Sequence, residues 1–356
     1  MSDRIFLHSG STMLNLALTG HPLCAWPMGR VSNIVGDKSS GKTLLAIEAA
    51  TLWLSNPPQG VAPRVEYMEA EAAFDEEYAA KLGLDVDRVN FSRGLDTVEE
   101  MFDKMEQVVE SIKGTNQAAL CIIDSLDALS SKAEMERGMD EGTYGMEKQK
   151  KLGELFRKCI RRWEAAQMHI MLISQVRENI GAMPFSPKYR RSGGKSLDFY
   201  ASHVLWLSET GKIKTSDKSM IIGIDIKGKV TKNKVSVPYR DVTWPMYFMY
   251  GIDDIGSVVH WLTSTDCPKE HKIKKTAGYC TWQGERATVK ELVAIAEQDN
   301  SIYSALVRQV WAGWQLREER ALVKKPAKAG MVGNISLEED SESESPPPTP
   351  SFGRGT

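Results

Sequence analysis

No apolar run in this 356-residue chain approaches the roughly 18 residues that a membrane-crossing helix needs, which argues against a helical membrane protein. Cysteine is scarce: Cys24, Cys121, Cys159, Cys267 and Cys280 are scattered with no CxxC pair, so neither a zinc site nor a disulfide framework is expected. Net charge is nearly absent, at −2, so the chain as a whole does not attract a polyanion. Any contact with nucleic acid would have to come from a local basic patch. The amino terminus, MSDRIFLHSGS, has no charged segment followed by an apolar stretch and a small-residue cleavage site, so export is not expected and the cytoplasm is the default. What is present is an ordinary globular composition, 42% hydrophobic and 26% charged. The length suits one sizeable core plus a small second unit.

Short apolar runs alternate with amphipathic stretches over roughly the first 210 residues, the pattern of an α/β core with a mostly parallel sheet flanked by helices. The strand candidates are 31–35 (VSNIV), 65–69 (VEYME), 89–92 (VNFS), 119–124 (ALCIID), 169–174 (HIMLIS) and 203–208 (HVLWLS). Between them, residues 97–112 place Val98, Met101, Met105, Val108 and Val109 at helical spacing, which predicts a helix packed on the core. Residues 219–250 are rich in Val, Ile and Tyr and broken by Gly and Asn, which predicts antiparallel hairpins. A compact unit with two helices is expected over 266–322. The stretch 323–356 is rich in Pro, Ser, Gly and charge, and is expected to be a disordered acidic, Pro-rich tail.

The run Gly36-Asp37-Lys38-Ser39-Ser40-Gly41-Lys42-Thr43 matches G-x-x-x-x-G-K-[ST], directly after VSNIV and before the apolar run that begins at Leu44. Strand, glycine-rich turn and helix start are the context in which backbone N–H groups cradle the phosphates of a nucleotide. Lys42 would then pair with the β and γ phosphates, and Thr43 would hold Mg²⁺. Such a loop needs an acid at a neighbouring strand end for the metal's water shell, and CIID places Asp124 there. Hydrolysis also needs a group that activates water. The strand end VEYMEAEAAFDEEY offers Glu69, Glu71 and Asp75, and spacing does not choose among them.

Six runs in order, MGRVSNIVGDKSSGKT, EAEAAFDEEYAAKLGLD, CIIDSLDALSSKAEME, ISQVRENIG, SGGKSLDFYAS and KVTKNKVSVPYR, resemble the RecA recombinase family across residues 11–260. The resemblance implies an α/β RecA-type core, ATP and Mg²⁺ as ligands, and Glu71 as the residue that activates water. It implies adenine contacts from Asp75 and Tyr78, the latter by stacking, and a γ-phosphate sensor at Gln175 that relays to the DNA-binding loop after it. Lys232 and Lys234 match lysines that reach the ATP of a neighbouring subunit. The family's two DNA loops fall at 134–145, with Arg137, Met139 and Tyr144, and at 177–195. The second holds Arg177, Met183, Phe185, Lys188, Arg190, Arg191, Gly193, Gly194 and Lys195, a mixture of cations and stacking groups suited to single strands.

The resemblance therefore implies a DNA-dependent ATPase that coats single-stranded DNA as a homo-oligomeric filament, engages duplex DNA, and promotes homologous pairing and strand exchange. Single-strand-binding or mediator proteins are its expected partners, in a bacterial cell or one infected by a phage. Two alternatives share the motifs: a ring-forming helicase or translocase, and a mediator that loads another recombinase. About 30 residues precede the first core strand, so the family's amino-terminal docking arm is expected to be missing and the core to span 31–265. The acids Glu338, Glu339, Asp340, Glu342 and Glu344 of the tail are candidates to compete with DNA for basic surface.

Overall fold

The computed structural model describes residues 4–136, 145–178, 189–191 and 194–322. The chain has two compact units, Met1–Arg317 and Glu318–Thr356, and every strand among the described residues belongs to the first.

Strands β1 (Phe6–Leu7) and β2 (Trp26–Pro27) pair antiparallel on either side of helix α1 (Thr12–Thr19). The Ser11 hydroxyl caps α1 by accepting from Leu14 N, and Gly20 closes it in the left-handed region at φ 77°. Every residue of α1 is buried. Its Asn15 is satisfied internally, accepting from the Ser9 hydroxyl and donating to Pro22 O.

The chain then alternates: β3 (Val31–Gly36), α2 (Lys42–Ser55), β4 (Ala62–Glu69), α3 (Glu76–Lys81), β5 (Val89–Arg93), α4 (Val98–Ile112) and β6 (Gln117–Asp124). It continues through α5 (Lys132–Met135), α6 (Gly145–Ala165), β7 (Met168–Glu178), β8 (Tyr189–Arg191), α7 (Gly194–Tyr200) and β9 (His203–Lys214). Strands β10 (Ile221–Asn233), β11 (Asp241–Tyr247) and β12 (Gly251–Ile252) lead to α8 (Asp254–Thr263). A separate three-stranded sheet, β13 (Lys274–Thr276), β14 (Tyr279–Trp282) and β15 (Glu285–Thr288), precedes α9 (Val289–Gln298) and α10 (Asn300–Arg320).

The main sheet runs β12-β11-β10-β9-β3-β7-β6-β4-β5, with β8 paired to β7. From β9 to β5 its pairings are parallel; from β9 to β12 they are antiparallel, the hairpins expected over 219–250. All six expected core strands are present, several longer than their apolar runs. The alternation of β6 sends Leu120 and Ile122 into one core, shared with α1 and α2, and Cys121 and Ile123 into the other, shared with α4 and α6. Helix α4 begins at a capping box, Thr97 with Glu100, and buries the predicted face of Val98, Met101, Met105, Val108 and Val109.

In this order β3 lies between β9 and β7, while the chain leaving β3 crosses to β4 beyond β6. Open parallel sheets bind ligands outside the carboxyl ends of strands flanking such a crossover. Gly36, Asp124 and Gln175 all sit at or beside those ends.

Candidate nucleotide and metal site

The loop after β3 is shaped by two glycines. Gly41 has φ +83°, and a Cβ there would lie 2.6 Å from Ile226 Cδ1 and 2.7 Å from Met246 Sδ. At Gly36 a Cβ would meet the Ser40 hydroxyl at 2.2 Å. Helix α2 starts immediately after, and among the described residues no side chain caps its amino terminus. Its first amides are therefore open for an anion, favoured by the helix dipole. The Ser40 hydroxyl is buried and has no hydrogen-bond partner among the described residues. Lys42 Nζ donates to the carbonyl of Asp37 across the loop at 2.6 Å. A cavity of about 300 Å³ opens here, lined by residues 39–44 and, farther out, by Phe74, Asp75 and Tyr78. Uncapped amides, an orphaned hydroxyl and a lysine fit a chain of phosphates.

Thr43 and Asp124 meet beneath the cradle: the threonine hydroxyl donates to Asp124 Oδ2 at 2.8 Å. Tyr67 Oη donates to the same oxygen at 2.7 Å. Burial pushes the Asp124 carboxyl up, against the pull of these two donors. Burial likewise pushes the Lys42 ammonium down, although the carboxylates of Asp124, Glu71, Asp37 and Asp127 oppose it. The Tyr67 phenol is pushed well up by burial and by the Asp124 charge, so it remains a donor. A carboxylate and a threonine oxygen side by side fit Mg²⁺, which would supply charge neutralisation for phosphates held by Lys42 and the α2 amides.

The three acids that spacing left open are distinct in place. Glu69 is buried; its Oε1 accepts from the amides of Ala73 and Phe74 at 2.5 and 3.0 Å, and its Oε2 lies 3.4 Å from Arg93. Asp75 caps α3, accepting from Tyr78 N at 2.9 Å. Glu71 instead faces across the sheet: its Oε1 accepts from Gln175 Nε2 at 2.7 Å and from the Ser125 hydroxyl. Gln175 is held in turn by its main-chain N–H, which donates to Asp127 Oδ2 at 2.7 Å. The Asp124–Ser125 peptide is cis.

Tyr78 Oη donates to Phe248 O at 2.5 Å, which ties α3 to the segment after β11. With Ile224, Met246 and Phe248 it forms an apolar wall of the cavity. Motif reading did not find these three residues, because they arrive from the antiparallel strands and share no spacing with the loop; the only signal was the apolar composition of 219–250.

Lys232 and Lys234 do not line this cavity. Their ammonium groups donate to main-chain carbonyls at the end of α7, Lys232 to Asp198 O and Lys234 to Phe199 O at 2.7 Å. The Phe199 ring beside Lys234 is exposed. Among the DNA candidates, β7 and β8 pair antiparallel with Arg177 opposite Arg190 and Val176 opposite Arg191, while Gly194 and Lys195 open α7. Arg137, Met139, Tyr144, Met183, Phe185, Lys188 and Gly193 lie outside the described residues, as do the acids of the tail.

The family model for the RecA N-terminal domain matches residues 3–253. The protein named Protein RecA from Trichodesmium erythraeum (strain IMS101) is 31% identical over 296 residues, covering 83% of this chain and 76% of that protein. Protein RecA from Acinetobacter baumannii is 27% identical over 336 residues, covering 94% and 86%.

Proposed function

The chain belongs to the RecA family, and from that premise we propose that it is a DNA-dependent ATPase that binds single-stranded DNA as a filament and promotes homologous pairing and strand exchange. The observation that carries this reading is the Gln175–Glu71 hydrogen bond. It joins a carboxylate suited to activating water with β7, the strand that two residues later reaches Arg177 in its ladder with Arg190. A side chain that exchanges its partner when a γ-phosphate is present would shift that ladder, and with it the cations offered to DNA.

In this reading Lys42 and the α2 amides bind the phosphates, while Thr43 and Asp124 hold Mg²⁺. Glu71 accepts a proton from the attacking water, and Tyr78 stacks on the adenine with Asp75 beside it. Lys232 and Lys234 stabilise developing charge on a neighbouring subunit's ATP, as an arginine finger does, which makes turnover depend on assembly. Arg177, Arg190, Arg191 and Lys195 neutralise phosphates of the single strand. The protein would act in the cytoplasm of a bacterium or of a phage-infected cell, with a functional division near residue 265 between the ATPase core and a unit that meets duplex DNA.

The test is ATP turnover with and without single-stranded DNA. Stimulation by the strand is expected, and the double substitution Lys232→Ala, Lys234→Ala should keep nucleotide binding while losing about a hundredfold or more of the stimulated rate. Turnover indifferent to DNA would overturn the reading; an unaffected double variant would remove the role across the interface.

A further inference from the structure

Strand β4 alternates as its neighbours do, and Tyr67 points into the core shared with α2, where its side chain is fully buried. The ring packs in an aromatic trio, 4.4 Å from Phe74 and 5.8 Å from Phe91 between centroids. A phenylalanine would fill that space equally well, so packing alone does not account for a hydroxyl in this position. The hydroxyl's partner is Asp124 Oδ2, at 2.7 Å.

Asp124 Oδ2 thus receives two donors from different elements, Thr43 on α2 and Tyr67 on β4. Neither reaches Oδ1. A carboxylate held by one donor can still turn about its terminal torsion; two donors converging on one oxygen fix the plane and decide which oxygen faces outward. Thr43 cannot serve that purpose alone, because its own oxygen is the one suited to the cation. Partners of this kind behind a metal-binding carboxylate typically change metal affinity by about 10- to 100-fold.

We propose that Tyr67 is a positioning residue for the divalent cation: its hydroxyl anchors Asp124 Oδ2, presents Oδ1 to the cation's water shell, and so sets the Mg²⁺ concentration at which the protein takes up ATP. The proposal rests on the reading that Thr43 and Asp124 hold Mg²⁺ with the nucleotide. Tyr67 itself touches neither the phosphates nor the cation in this scheme. Its substitution therefore shifts the Mg²⁺ requirement, and leaves affinity for ATP at saturating Mg²⁺ as it was.

The experiment is binding of a fluorescent ATP analogue titrated with Mg²⁺, measured on the full chain without turnover. Tyr67→Phe should raise the Mg²⁺ half-saturation point about tenfold and leave the plateau affinity within about twofold. Phe91→Leu, which disturbs the same aromatic trio and removes no hydroxyl, should leave the half-saturation point in place. An unchanged Mg²⁺ requirement in Tyr67→Phe, or an equal shift in Phe91→Leu, overturns the role of the hydroxyl. Binding by the unsubstituted protein that ignores Mg²⁺ altogether overturns the site reading instead. If Tyr67→Phe does not fold, NMR of the unsubstituted protein labelled at tyrosine Cζ carries the test: the Tyr67 resonance moves with Mg²⁺ when ATP is present, and a stationary resonance refutes the proposal.

Discussion

The two ends of the sheet's parallel strands treat buried ionisable groups in opposite ways. At the carboxyl end, Lys42 and Asp124 are packed where burial disfavours the charge on each. Around them are groups with capacity to spare: uncapped amides of α2 and the unpartnered Ser40 hydroxyl. At the amino end, His169 on β7 and His203 on β9 sit beside Trp26, with ring centroids 6.2 and 6.1 Å from its indole. Burial pushes these imidazoles down to about 4 and about 3, and His169 Nδ1 is matched to Pro27 O at 2.8 Å. One end keeps unfavourable charges that a charged ligand can compensate; the other is neutral, although Trp26 Nε1, His169 Nε2 and His203 Nε2 there have no hydrogen-bond partner among the described residues. At the carboxyl end a charged ligand can offset the cost of burial.

The substitution Asp124→Asn breaks this comparison most forcefully. Because the folded carboxyl is raised, the fold binds more protons than the unfolded chain just above the ordinary Asp range, and stability falls as pH rises through that window. Asparagine removes the buried charge and leaves an oxygen for Thr43 and Tyr67. ATP turnover should drop about a hundredfold or more, while the melting temperature in EDTA rises by about 2 °C. Calorimetry beside a turnover assay checks both; a variant that loses activity and stability together would show that Asp124 is a structural group.

The amino end predicts the opposite dependence on pH. Imidazoles kept neutral in the fold bind fewer protons than in the unfolded chain below about pH 6.5, so stability falls as pH drops from there toward 4 for His169 and 3 for His203. At pH 5 the loss should be roughly 2 kcal/mol for each ring. Urea unfolding at pH 7 and pH 5 measures it, and His169→Gln should remove about half of the difference. Equal stability at the two pH values would mean the rings are solvated and the contrast between the ends is false.

The fold was legible where burial imposes a period. Strands buried on both faces appear as short apolar runs, and the α4 face repeats at helical spacing, so both show in a linear reading. In the candidate site, the loop and Asp124 stood out in the sequence because the phosphate and metal chemistry proposed for them asks for fixed residue types next to a strand end. Less was legible where function depends on what a side chain already holds. Glu69, Glu71 and Asp75 are equivalent in spacing, yet one binds amides of its own loop, one caps a helix, and one reaches Gln175. The apolar wall of Ile224, Met246 and Phe248 was hidden because the antiparallel strands bring it from 180 residues or more beyond the loop. The amino-terminal segment was hidden for another reason: α1 is buried on all sides, so it has no polar face to reveal its period.

The central claim is that the nucleotide at the carboxyl end governs the grip on a single strand through Gln175 and β7. Its most direct test is the affinity of the protein for a labelled single-stranded oligonucleotide, by fluorescence anisotropy at one salt concentration, with a non-hydrolysable ATP analogue, with ADP and with neither. The affinity should be about tenfold or more higher with the ATP analogue, and that preference should vanish in Gln175→Ala. Equal affinity in all three states would contradict the account.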